Sequence, residues 1–196
     1  AAVSADTFRL MDPVSQRMMG VRADMTTQVA RIAATRLGDA PRPLRLSYTG
    51  EVLRIRGTQL RPERQFAQVG AELIGTKSAV ADIEIIEIAV ESLRKIGVPN
   101  LSVDLNIPPL VPALMDGMGL LSADYQTLRE ALDRKDVSAV RERGLDHAEE
   151  LCRLMEGTGA AEQALDVLST LSLPSAPAGE LEHLKAVVEG IRERIP

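Results

Sequence analysis

The amino-acid sequence predicts an α+β protein, with antiparallel strands and flanking helices over residues 1–108 and a helical portion over 109–196. Three observations carry this. Leu44, Leu46 and Tyr48 alternate with Arg45 and Ser47, the period of two that marks a half-buried strand. Ile86, Ala89, Val90 and Leu93 recur at the spacing of one helix face, as an amphipathic helix requires. Beyond Pro108-Pro109 the alternation disappears and helical spacing takes over.

Taken in order, Asp24 or Thr26 can cap a helix through Val29, Ile32, Ala33 and Arg36. Gly38 follows Leu37 as a left-handed stop, and Pro41 and Pro43 end the helix. The strand through Tyr48 is expected to close in a Thr49-Gly50 turn, with Val52 to Arg56 as a second strand and Gly57 to Pro62 as a loop. Arg64 to Ile74 then reads as one long strand closed by Gly75. A helix over Asp82 to Ile96 stops at Gly97 and Pro99, and Leu101, Val103, Leu105 and Ile107 alternate with polar residues as a further strand. Five helices follow: 123–134, 137–143, 146–156, 160–171 and 180–195, with Pro174 and Pro177 separating the last two.

Composition narrows the functional classes. The 196 residues are 45% hydrophobic and 26% charged, a globular balance that excludes a disordered or collagen-like chain. With two Phe, two Tyr and no Trp, a stacking platform for single-stranded nucleic acid cannot be built. One cysteine, Cys152, makes no internal disulfide, and His147 and His183 are too far apart for a zinc motif. No metal and no cofactor are therefore expected. The lone cysteine suits a reducing, cytoplasmic compartment, and with no uninterrupted apolar run of membrane-spanning length no membrane partner is expected. Residues 1–75 contain 11 Arg, no Lys and 7 acids, a local +4 within a chain of net −5. Arg suits bidentate recognition of carboxylate or phosphate, although Arg also outnumbers Lys 19 to 4 throughout.

Two nucleotide-like motifs fail on context. In Gly70–Gly75 followed by Thr76-Lys77-Ser78 the lysine comes one residue late and the interior reads as strand, while Gly117-Met118-Gly119 lacks a third glycine. A Cys152–His147 nucleophile pair is five apart on a helix, a poor spacing for contact; a small buried thiol is the simpler reading.

The long strand is more informative. Alternation puts Phe66, Gln68, Gly70 and Glu72 on one face and Ala67, Val69, Ala71 and Leu73 on the other. Gln68 and Glu72 stand about 13 Å apart by strand rise, and a small ligand could lie on the Gly70 backbone between them. Arg54 and Arg56 share a face of the preceding strand. If the two strands pair, such a surface suits a zwitterion, with carboxylate to Arg and ammonium to Glu.

Here the residues resemble a family. Arg22-Ala23-Asp24-Met25-Thr26, the Tyr48 to Arg54 strand, and Arg64-Gln65-Phe66-Ala67-Gln68-Val69-Gly70-Ala71-Glu72-Leu73-Ile74-Gly75 look like catalytic-core elements of histidyl-tRNA synthetase. They look still more like its non-synthetase paralogues, the regulatory subunits of ATP phosphoribosyltransferase. The resemblance runs in consistent order from Phe8 to Ile107. It implies a class II aminoacyl-tRNA synthetase-like antiparallel sheet with flanking helices, residues 1–108 being part of that core and 109–196 a helical segment or inserted subdomain. It also implies a histidine site made by Asp24, Thr26, Gln68 and Glu72, with Arg54 at the amino-acid carboxylate.

The departures separate the paralogues. Two residues after that arginine the synthetase has a Glu that helps place ATP, whereas this chain has Arg56, and Gly57 to Pro62 lacks the synthetase's Arg-Pro-containing continuation. Asp24-Met25-Thr26 is also closer to the regulatory form than the synthetase's Glu-Gly-Thr. The resemblance therefore implies a non-catalytic, histidine-binding regulatory subunit with feedback control over the first step of histidine biosynthesis. Its partners would be histidine and a short-form catalytic ATP phosphoribosyltransferase subunit, in a hetero-oligomer containing a homodimer of this protein. Nucleic acid is not an expected partner, and the alternative is a catalytic-core fragment of histidyl-tRNA synthetase. The family's dimer-forming motif is expected before Phe8, and the segment completing the histidine pocket, with the last synthetase motif, after Pro196, so the sequence reads as a piece of a longer chain.

Overall fold

The computed structural model describes residues 6–60, 62–117, 122–142, 148–171, 173 and 175–195. Packing divides the chain into two compact units, 1–77 and 78–196, so the division falls ahead of the compositional change at Pro108-Pro109.

The first unit is α+β. A hairpin pairs β1 (Arg9–Met11) with β2 (Met18–Gly20), and α1 (Thr26–Thr35) precedes a ribbon of β3 (Leu44–Leu53) and β4 (Gln65–Ile74). That ribbon is antiparallel, with Tyr48 opposite Gly70, Gly50 opposite Gln68 and Val52 opposite Phe66. Asp12 organises the hairpin turn by accepting from the Val14 and Ser15 amides at 3.3 and 3.1 Å. The Ser15 hydroxyl beside it holds the Asp12 carboxyl below the usual range. The segments leading into and out of the hairpin lie along the end of β3: Thr7 bridges Arg54, and the Leu53 amide donates to Arg22 O at 3.0 Å. This brings residues 22–24 beside Arg54.

The second unit is helical: α2 (Ala79–Lys95), α3 (Leu110–Gly117), α4 (Ser122–Asp133), α5 (Val137–Arg141), α6 (Ala148–Glu156), α7 (Ala161–Ser169) and α8 (Ser175–Arg194). Helix α2 starts where Ser78 accepts from the Ala81 amide at 3.3 Å, carries Asp82 in its first turn and Arg94 and Lys95 in its last. These charges complement the helix dipole, and Gly97, at a φ of +83°, follows as the stop. The core gathers Leu110, Leu114, Met115, Leu128, Val140, Leu151, Leu154, Leu168 and Leu181 around Cys152. Helices α2 and α8 are joined by His183 Nε2 to Asp82 Oδ2 at 2.6 Å and Arg194 to Glu87 at 3.6 Å.

Several expectations change. Strand β3 runs unbroken through Thr49 and Gly50, so there is no turn there. Glycine serves close packing instead: a Cβ on Gly50 would meet the Met25 sulfur at 2.9 Å. Gly38 does not take a left-handed conformation among the described glycines, and α1 ends before it. Residues 101–107 form no strand and have no ladder partner among the described residues; Val103 and Leu105 are exposed, because alternation marks a strand only when another strand pairs with it. Pro177 lies inside the first turn of α8 and is buried, where a missing amide costs nothing; Pro174 lies outside the described residues. So do His147, Met118 and Gly119.

Cys152 is fully buried, and burial pushes its thiol pKa up. Iodoacetamide is therefore expected to leave Cys152 unmodified in the native protein and to alkylate it after denaturation, as read by peptide mass mapping. Alkylation at the native rate of a free thiol would contradict the packing.

Candidate functional site

The covered face of the β3–β4 ribbon carries Leu44, Leu46, Tyr48, Gly50 and Val52 with Phe66, Gln68, Gly70, Glu72 and Ile74, whereas Arg45, Ser47, Thr49, Glu51, Ala67 and Val69 are exposed. The polar residues of β4 thus face inward, and Val69 is left 78% exposed. Half-buried polar groups are best held by partners, and the 22–26 segment supplies them to Gln68.

Gln68 is the hinge of the cluster. Its Oε1 accepts from the Met25 amide at 3.0 Å and its Nε2 donates to Asp24 Oδ2 at 3.4 Å. Asp24 Oδ1 accepts from the Thr26 amide at 2.7 Å. Two amides at the start of α1, which have no helical acceptor, are therefore held by Gln68 from β4 and by Asp24. This refines the capping expectation: Asp24 supplies an acceptor, Thr26 is the first helical residue, and Met25 occupies the cap position with no side-chain bond of its own.

Arg54 approaches Asp24 from the other side. Its Nη2 lies 3.7 Å from Asp24 Oδ2, its Nε donates to Ala23 O at 3.2 Å, and its guanidinium stands 5.2 Å from the Phe66 ring centre. With side-chain exposures of 39% and 23%, the ion pair itself adds little stability, of order 0–1 kcal/mol. Its effect is orientation: carbonyl, carboxylate and ring together fix a guanidinium that still has donors to offer.

The structure thus brings together Asp24, Thr26, Arg54 and Gln68. It keeps two expected groups apart from them. Arg56 is exposed beyond the end of β3. Glu72 shares the covered face, opposite Leu46, but no hydrogen bond links it to the cluster among the described residues. Between Glu72 and Gln68 on this face stands the Tyr48–Gly70 pair, and the tyrosine fills the space. Its ring occupies the space above Gly70, where an added Cβ would lie 2.3 Å from both Cζ and the hydroxyl oxygen, and the hydroxyl is 3.1 Å from Thr26 Oγ1. A ligand cannot lie on the Gly70 backbone as the sequence suggested, because an aromatic ring is already there. Tyr48, Phe66 and the Ala23 carbonyl escaped the sequence reading. A register pairing Tyr48 with Gly70 would have exposed the first of these.

Among the described residues no group of three His, Cys, Asp or Glu side chains could hold a metal, and no helix is long and apolar enough to cross a membrane.

A family model described as histidyl-tRNA synthetase matches residues 1–196. The ATP phosphoribosyltransferase regulatory subunit of Paramagnetospirillum magneticum is 54% identical over 186 residues, covering 95% of this chain and 49% of the relative. That of Rhodospirillum rubrum is 50% identical over 195 residues, covering 100% and 51%. The chain thus spans about half the length of the curated relatives it matches. A Bacillus halodurans crystal structure, described as an ATP phosphoribosyltransferase regulatory subunit/histidyl-tRNA synthetase, superposes with a TM-score of 0.80 at 27% identity over 97% of this chain and 50% of that one. A chain of the ATP phosphoribosyl transferase complex of Thermotoga maritima shares the fold, with a TM-score of 0.64 at 17% identity over 96% of this chain and 66% of its own. Matched along its whole length, with Asp24, Thr26, Arg54 and Gln68 brought together, this chain belongs to the histidyl-tRNA synthetase family, beside the ATP phosphoribosyltransferase regulatory subunits.

Proposed function

We propose that this chain carries the histidine-binding core of an ATP phosphoribosyltransferase regulatory subunit and performs no chemistry itself. The observation that carries the reading is the Asp24–Gln68–Arg54 group, in which an acceptor for an ammonium and a donor for a carboxylate are held side by side. Histidine's carboxylate would take the free donors of Arg54, and its ammonium would bond to Asp24 with help from Thr26 and Gln68. Glu72, beyond the Tyr48 ring, would accept from another donor of the same ligand. Arg56, a cation where the synthetase places an acid for ATP, argues against adenylation. Regulation then follows from linkage: histidine must bind the inhibited assembly more tightly than the active one, with a coupling usually of about 1–3 kcal/mol. The catalytic partner would be the short-form phosphoribosyltransferase subunit, in a cytoplasmic hetero-oligomer that includes a homodimer of the regulatory chain.

Reconstituting the full-length protein with a short-form catalytic subunit tests this. Activity is expected to fall as histidine is added, and calorimetry on the full-length protein is expected to show histidine binding; no binding overturns the reading. The synthetase alternative draws on the family model's description, and histidine-dependent ATP–pyrophosphate exchange would select it.

Glu72 offers the cleanest functional probe. Since no hydrogen bond holds it among the described residues, Glu72→Ala is expected to change stability by less than about 0.5 kcal/mol. The histidine response should nevertheless weaken. An unchanged response would leave the site a relic on a helical scaffold.

A further inference from the structure

Tyr48 is the side chain that touches both the floor of the site and one of its polar groups. It stands across the ribbon from Gly70, filling the space between Gln68 and Glu72 on the covered face. Those two residues flank Gly70 at about 6.7 Å on either side by strand rise. Its hydroxyl lies at hydrogen-bond distance from Thr26 Oγ1, and the Thr26 amide is in turn held by Asp24. A hydroxyl with one partner fixed can offer its remaining donor or lone pair in only a few directions.

We propose that Tyr48 is a positioning residue of the histidine site, a role that rests on the reading above. Its hydroxyl sets the Thr26 side chain so that the remaining hydrogen-bonding capacity faces the ligand. Its ring, seated on Gly70, divides the face into two subsites: Asp24, Thr26, Gln68 and Arg54 on one flank, Glu72 on the other. A ligand that uses both flanks must carry polar groups at two ends and an uncharged middle that crosses the ring. This excludes a short zwitterion without a polar side chain from engaging Glu72 as well as Arg54.

The competing explanation is packing alone, since an aromatic ring laid across a strand glycine stabilises a ribbon whatever binds nearby. Tyr48→Phe separates the two in the full-length protein, because it keeps the ring and removes only the hydroxyl. Histidine affinity, read by calorimetry, is expected to fall roughly threefold to tenfold, the scale of one neutral ligand hydrogen bond weakened because the Thr26 hydroxyl is no longer set, with the fold retained in thermal unfolding. Tyr48→Phe combined with Thr26→Val is expected to bind no more weakly than Thr26→Val alone, because the hydroxyl acts through Thr26. Gly70→Ala is the second variant. Its Cβ displaces the ring without deleting a polar atom, and affinity is expected to fall by a similar factor. Wild-type affinity in Tyr48→Phe, additive losses in the double variant, or wild-type affinity in Gly70→Ala would each overturn the role of Tyr48 while leaving the histidine site standing. Failure of the unaltered protein to bind histidine would sink both.

Discussion

Asp24→Asn in the full-length protein is expected to lower histidine affinity by roughly tenfold to a hundredfold while leaving the fold intact. The carboxylate does two jobs that this substitution separates. Oδ1 accepts from the Thr26 amide and Oδ2 faces Arg54 and Gln68. An asparagine oxygen can still accept from Thr26, since Asn and Asp are equivalent as caps. It cannot hold a ligand ammonium with a charge, and a charge-assisted hydrogen bond contributes about 1.5–3 kcal/mol. Asp24→Ala removes both functions, adding a stability loss of about 1 kcal/mol from the unheld amide. Calorimetry with histidine, together with thermal unfolding of both variants, checks this. An Asn variant that binds like the parent would show that Asp24 is a structural acceptor only.

The largest stability effect is expected in the second unit. Leu151 on α6 is fully buried against a core that includes Leu128 and Val140, both also at 0% exposure. Leu151→Ala deletes methyl groups from a space bounded by helices on several sides and should cost about 2–5 kcal/mol. A whole domain is typically stable by about 5–15 kcal/mol, so this is a large fraction of the total. Urea denaturation followed by the far-ultraviolet helical signal should show an earlier midpoint. Val14→Ser is the control: Val14 is 91% exposed, and its replacement should stay within about 0.5 kcal/mol. Comparable losses for both would mean that Leu151 is not the centre of this core.

Long, strongly periodic segments were legible in the sequence. The alternation around Tyr48 and from Arg64 to Ile74 marked β3 and β4, and the helical spacing from Asp82 located α2, because each pattern repeats over enough residues to outweigh local accident. The β1–β2 hairpin was not legible: its strands are three residues each, too short for a period of two to register. Residues 101–107 show the opposite failure, a clear alternation with no strand partner among the described residues.

For the site, the residue types were readable and their company was not. Arg54, Gln68 and Glu72 could be picked out as donors and acceptors suited to a zwitterion, because charge and hydrogen-bonding capacity belong to each side chain wherever it sits; Asp24 and Thr26 joined them through the family resemblance. Which of them meet depends on the ribbon's register and on where the chain ahead of α1 crosses it. Those are long-range facts, with Gln68 bonding to Asp24 and Met25 more than forty positions away. Tertiary structure alone put Tyr48 on Gly70, turned the polar face of β4 inward and left Glu72 on its own flank. A strand's alternation names its two faces, but only packing determines which one is covered.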